Sequence, residues 1–317
     1  MVSAPIPPGY PCAVTTPGLA RSRRFPPVPA RASSADAGML LVTLIWGTNF
    51  TVMKLGLAVM PPLAYTAVRF AIACLLLWGV LKWREGSAAI PAGTFWPLVG
   101  LGLLGNTLYQ IAFTLALVMS SATNCALILS TMPAVVATMG HLTGIEPTTR
   151  RMRWGIAVAT LGVAVVIAAR GIRFDTTTLR GDALAVVATL CWSAYTLGLR
   201  RLPAALSPLA VTAHTTFTGT PGLVLAGIPG ILAVEWGAVP PVAWGSLAYA
   251  SLLSLGVAYL IWNSSVARVG SSRTAVYMCI TPVVAAIVAW AVLGERLVPL
   301  QGGGAVLILI GVLLTRR

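Results

Sequence analysis

The chain has 317 residues, 57% of them hydrophobic and only 9% charged, and a net charge of +14. An ordinary soluble domain is about 25% charged, so a soluble fold could not cover this much apolar surface, and a polytopic membrane protein is expected. The basic excess would suit a nucleic-acid binder, but the Lys and Arg fall in short clusters between apolar runs and no soluble segment is large enough to present a basic face.

Residues 1–35 are rich in Pro, Ser and Arg and hold no acid. They lack the apolar core of a secretory signal and read as a disordered cytoplasmic tail, or as residues ahead of the true start. Ten apolar segments follow, each long enough to span a bilayer. Their limits are 38–58, 63–82, 94–117, 120–142, 152–170, 183–200, 207–229, 243–266, 272–293 and 299–315. Gly/Pro turns and charged linkers such as "GIEPTTRRMR" (144–153) separate them. Ten spans return both termini to one side. With the ends cytoplasmic, fifteen Lys and Arg fall inside and four (Arg170, Arg173, Arg180, Arg296) outside. The positive-inside rule therefore favours cytoplasmic termini in an inner or plasma membrane.

An internal repeat runs through the segments. A shift of 149 residues lays "TMPAVVATMGHLTGIE" (131–146) on "ITPVVAAIVAWAVLGE" (280–295), matching Pro133 with Pro282 and Glu146 with Glu295. The same shift matches Gly155 with Gly304 and Gly162 with Gly311, while a shift of 146 matches Asp36 with Asp182 and Trp46 with Trp192. The fold class expected is thus an all-α polytopic membrane protein, ten transmembrane helices as two five-helix repeats over 36–175 and 176–317. Five is odd, so the second copy must enter the membrane inverted, a recurring plan of secondary transporters.

The stretches "LIWGTNFTVMKLGL", "PPLAYTAVRFAIACLLL", "AYLIWNSSVARVG" and "YMCITPVVAAIVAWAVLGE", with the Pro-Gly-Glu pattern ending the fourth segment, together resemble the EamA family of the drug/metabolite transporter superfamily. The resemblance covers about 36–315. It implies ten helices, cytoplasmic termini, a central cavity and transport of small metabolites, often outward. "GIE" at 144–146 departs from the more usual "LGE" seen at 293–295.

Candidate site residues come from polar and aromatic groups inside apolar segments. Trp46, Asn49 and Phe50 are spaced i, i+3, i+4 and share one helix face. Asn106, Tyr109, Gln110 and Phe113 make a second face, and Trp192, Tyr195 and Thr196 a third. Tyr259, Trp262 and Asn263 follow in the eighth segment, with Tyr277 in the ninth and Asn124 and Ser130 in the fourth. Unpaired amides in hydrocarbon cost several kcal/mol, so these faces should turn inward. Singly, each is as well explained as helix–helix glue. Spread over six segments, they predict a shared cavity for an amphipathic solute, rings for its apolar part and amides for its polar part.

Pro133 and Pro282 fall mid-segment at equivalent places, where a proline removes a backbone hydrogen bond and kinks a helix, and are expected to mark the gating elements. Lys54 is close enough to a segment end to snorkel. Arg69 lies deeper, and its expected partner is a carbonyl, an amide or an anionic substrate group. His214 reads first as a packing residue, with proton carriage as the alternative.

By these limits all seven acids lie at segment ends or in loops, so coupling through an intramembrane carboxylate is not expected. The five cysteines are scattered without a CxxC; all but Cys12 lie inside apolar segments and read as small buried hydrophobes. There is no GxxxxGK[ST] loop, no HExxH and no paired Cys/His spacing, so no ATP-driven pump, metal or cofactor is expected. The sequons "NFT" and "NSS" lie inside spans, where they cannot be glycosylated. The bilayer and a small solute are the partners expected, with no nucleic acid. The rival is a membrane-embedded enzyme acting on a lipid-linked substrate, which would need clustered acid/base groups near one face.

Overall fold

The computed structural model describes residues 34–144, 149–168, 176–295 and 298–315. Nearly all of the expected tail, Glu146 and Asp175, and Arg170, Arg173, Arg296, Arg316 and Arg317, lie outside the described residues. The described chain forms helical rods: α1 (Ser34–Leu57), α2 (Pro62–Glu85), α3 (Phe95–Met119), α4 (Ala122–Leu142), α5 (Arg150–Ala168), α6 (Thr176–Leu199), α7 (Pro208–Ala233), α8 (Pro241–Val269), α9 (Ser271–Leu293) and α10 (Pro299–Thr315). Among the described residues, all except α5 and α10 are long and apolar enough to cross a membrane, which makes eight. The apolar part of α5 is shortened by Arg150, Arg151 and Arg153 in its first turn, and α10 has 17 residues.

Local chemistry sets the ends. Pro62 opens α2 at the first position, where a missing N–H costs nothing. Gly86 closes it at φ 68°, its N–H returning to the Lys82 carbonyl. Ser121 and Ser207 cap α4 and α7 by accepting the N–H of Asn124 (3.0 Å) and Ala210 (2.9 Å). The limits expected from hydropathy agree to within a few residues except at α6. That helix starts at Thr176 rather than near 183, because "TTTLRGD" is polar yet continues the helical ladder. Asp182, expected at a segment end, therefore sits in the second turn of α6 and is buried.

Four of the long helices are irregular in matching ways. Both α3 and α8 widen into π-type turns, over Leu103–Leu108 and Tyr249–Val257. Both α4 and α9 break near the middle. Ala122–Leu129 gives way to Met132–Leu142, and Ser271–Ala275 passes through a tighter turn at Val276–Cys279 into Thr281–Leu293.

The packing partners exchange between the two halves. α1 lies on α9 and α8, while α6 lies on α4 and α3; α2 packs along α7 and α5 along α10. Close backbone approach makes the α5–α10 contact. A Cβ on Gly162 would lie 2.8 Å from the Gly304 carbonyl, and one on Gly311 would lie 2.6 Å from the Gly155 carbonyl. Large apolar side chains such as Leu75, Trp96, Leu225 and Leu232 stay exposed on the outside, as lipid-facing surface requires.

Candidate functional site

The seam between the halves holds a narrow pocket walled by α1, α2, α3, α4, α6, α8 and α9. Six of the thirteen residues predicted to bind solute line it: Trp46, Asn49, Tyr109, Gln110, Trp192 and Tyr259. Arg69, Phe50, Phe113, Leu129, Met132, Thr189, Ser254 and Met278 complete the wall.

An aromatic cluster forms one side. Trp46 meets Trp192 edge-on, with ring centroids 5.8 Å apart, and Tyr259 at 5.9 Å. Trp192 also contacts Tyr109 at 4.8 Å and Tyr259 at 5.0 Å. The Trp46 indole N–H donates to the Ser254 carbonyl at 3.1 Å, inside the widened turn of α8. Widened turns leave backbone carbonyls off the regular ladder and commonly sit at functional sites.

The other side is polar. Arg69 is 1% exposed. It donates through Nη1 to the Met53 thioether (3.0 Å) and through Nη2 to the Gln110 amide oxygen. Gln110 in turn donates to the Tyr259 hydroxyl at 2.8 Å. Asn49 is 4% exposed and gives its amide N–H to the same Met53 sulfur at 3.2 Å. Among the described residues, Asn49 Oδ1 and Arg69 Nε have no hydrogen-bond partner.

The remaining predicted residues lie elsewhere. Trp262 is fully buried behind Trp46 and Trp192. Tyr195 donates to Asn263 Oδ1 (3.2 Å), and Asn263 donates to Thr212 (2.8 Å), which ties α6, α8 and α7 together. Asn106 is fully buried where α3 meets Gly219 of α7. His214 is held by the Ala210 and Ala88 carbonyls at 2.8 and 3.0 Å and packs on Trp78, away from the cavity. Ser130 and Pro282 border a second groove, wholly apolar apart from Thr123 and Ser130, between α4, α9 and α10.

Pro133 and Pro282 each occupy the second position of a new helical piece rather than the middle of a continuous one. The missing N–H there belongs to a first turn that lacks intrahelical partners anyway, so the break lies ahead of each proline. Leu129, Met132 and Met278, at the two breaks, form part of the cavity wall. Met132, Met278 and Thr189 were not singled out from sequence. Met132 and Met278 are 146 residues apart, as Trp46 and Trp192 are, and that shift could have found them.

Two polar clusters close the ends. At the far end of α1, Lys54 donates to the Ser120 carbonyl (2.7 Å) and pairs with Glu295 at 3.7 Å. Glu295 also accepts the N–H groups of Ala122 and Thr123 and the Thr123 hydroxyl. Beside it, Asp182 accepts from the Ser120 hydroxyl and the Asn124 amide, and Gln301 donates to Asn124 at 2.6 Å. At the opposite end of α1, Tyr277 of α9 donates to Asp36. Among the described residues no group of three or more His, Cys, Asp or Glu could hold a metal ion.

A family model described as the EamA-like transporter family matches residues 33–168 and again 179–317. An uncharacterized transporter of Archaeoglobus fulgidus is 28% identical over 87% of this chain and 95% of its own length. A probable amino-acid metabolite efflux pump of Salmonella typhimurium is 28% identical over 86% of this chain and 91% of its own length. A crystal structure 20% identical in sequence aligns with a TM-score of 0.68, covering 90% of this chain and 97% of that one.

Proposed function

This chain belongs to the EamA-like transporter family, and from that premise we propose that it is a secondary carrier of small amino-acid-like or amphipathic metabolites, working outward by alternating access around the central cavity. The observation that carries this reading is the cavity itself. Rings, two amides and a buried guanidinium from five helices converge on one space at the seam of the halves. A pocket with an apolar body and a few convergent polar groups suits one amphipathic solute. The outward direction rests on relatives named as efflux pumps.

In this reading the ten helices are two inverted five-helix repeats, α1–α5 and α6–α10, with both termini cytoplasmic. The exchanged packing supports it, since a twofold relation demands that if i meets j, the mate of j meets the mate of i. Gly162 against Gly304 and Gly311 against Gly155 obey that rule at a shift of 149. Gln110 and Tyr259, also 149 apart, touch each other directly.

The two end clusters act as alternate latches. Asp36 and Asp182 are matched by the repeat, and each bonds to the broken helix of the other half, Asp36 to Tyr277 on α9 and Asp182 to Asn124 on α4. Release of one latch lets the pieces around Pro133 or Pro282 swing and opens the cavity to one side.

Purified protein in liposomes, loaded with a panel of amino acids, amines and sugars, tests the reading. Saturable counterflow of a chemically unchanged solute is expected. Absence of flux for every solute, or recovery of a modified product, would overturn it.

A further inference from the structure

We propose that Arg69 and Asn49 form the head-group site of the cavity, Arg69 taking the carboxylate and Asn49 the ammonium of a zwitterionic α-amino acid whose side chain lies on the aromatic cluster. The proposal rests on the carrier reading above and narrows its substrate class.

The two cations placed in apolar segments have different partners. Lys54 is neutralised by Glu295. Arg69 is more deeply buried, yet among the described residues no carboxylate lies within ion-pair reach of it. Its contacts are a thioether, an amide oxygen and the Phe70 ring at 5.5 Å, none of which neutralises a guanidinium, and among the described residues its Nε has no partner. A buried charge without a counter-ion is costly, and in a membrane interior it marks a functional group by default. An anionic ligand group in the cavity supplies what the protein does not, and a planar carboxylate fits the guanidinium fork.

The second observation is independent of the first. Asn49 Oδ1 is a buried acceptor with no donor among the described residues, on the same cavity wall. Asn49 and Arg69 both touch the Met53 sulfur, at 3.2 and 3.0 Å, so an unmatched acceptor and an unmatched donor stand side by side. The ammonium and carboxylate of an α-amino acid sit on one carbon and present that pair of complements. A purely anionic solute would leave Asn49 Oδ1 unmatched, and an amine would leave Arg69 uncompensated.

The test compares phenylalanine with phenylalaninamide, phenethylamine and 3-phenylpropionate in liposomes holding the intact protein. The expected order is phenylalanine first, with each analogue slower by about tenfold or more, the loss expected for one charge-assisted hydrogen bond. R69Q is expected to abolish the preference for phenylalanine over its amide, and R69K to retain part of it. Should R69Q fail to fold, the wild-type analogue series decides alone. Phenylalaninamide and phenethylamine moving as fast as phenylalanine would overturn the proposal while leaving the carrier reading intact. No flux for any solute of the wider panel would overturn both.

Discussion

Glu295 and Arg69 mark two ways in which single charged residues serve this fold. Glu295 fastens three helices at one end, accepting two backbone N–H groups and a hydroxyl from the start of α4 and pairing with Lys54 of α1. Carboxylates at a helix N-terminus are stabilising, and charge-assisted hydrogen bonds exceed neutral ones. Its side chain is partly exposed, which screens the ion pair. E295Q is therefore expected to lower stability by about 1–2 kcal/mol, read as a drop in thermal midpoint in detergent; an unchanged midpoint would show the lock to be idle. Trp192 touches Trp46, Tyr109, Tyr195, Tyr259 and Trp262. W192A should raise KM for an aromatic solute by about tenfold with a smaller effect on an aliphatic one, measured by initial rates of uptake. Residue type and the i, i+3, i+4 spacing made Trp46 and Asn49 legible in the sequence. The Arg69–Gln110–Tyr259 chain was not legible, because it joins positions 41 and 149 residues apart whose approach depends on three-dimensional packing.

At the scale of elements, hydropathy marked the helices well and their irregularities poorly. A π-type turn changes the hydrogen-bond pattern without changing composition, so nothing in "LLGNTL" or "YASLLSLGV" announces it. The start of α6 was missed for a related reason: helical hydrogen bonding continues past the apolar stretch that defines a span. The prolines were legible as paired signals, but their meaning shifted. Each starts a new piece of helix, and the break precedes it. P133A would restore a donor able to reach the Leu129 carbonyl and thereby favour a straight α4. The expected outcome is a several-fold loss of transport with stability changed by less than about 1 kcal/mol, compared by flux and thermal unfolding on one preparation. Full activity in P133A would mean that the break is not a moving part.

For the whole molecule, the repeat was the most informative thing the sequence held, since matches at two nearly equal shifts, 149 and 146, implied two related halves. It could not say which helices of one half meet which of the other, because packing faces depend on small residues whose neighbours lie far along the chain. Gly162 and Gly311 illustrate this. They read only as a matched pair in sequence, yet in the fold each admits the backbone of the opposite helix. A side chain there has no room, and G162V is expected to destabilise by about 1–3 kcal/mol or more, seen as a lower thermal midpoint and reduced yield of monodisperse protein; a variant as stable as wild type would contradict the close α5–α10 contact. The central claim concerns motion of the two halves about the shared cavity. It is tested most directly by a single cysteine at Thr189, on the cavity wall, in a background free of other cysteines, labelled with a membrane-impermeant maleimide in right-side-out and inverted vesicles. The account predicts labelling from both sides, with solute added to one side changing the two rates in opposite directions. Labelling from one side alone under every condition would contradict it.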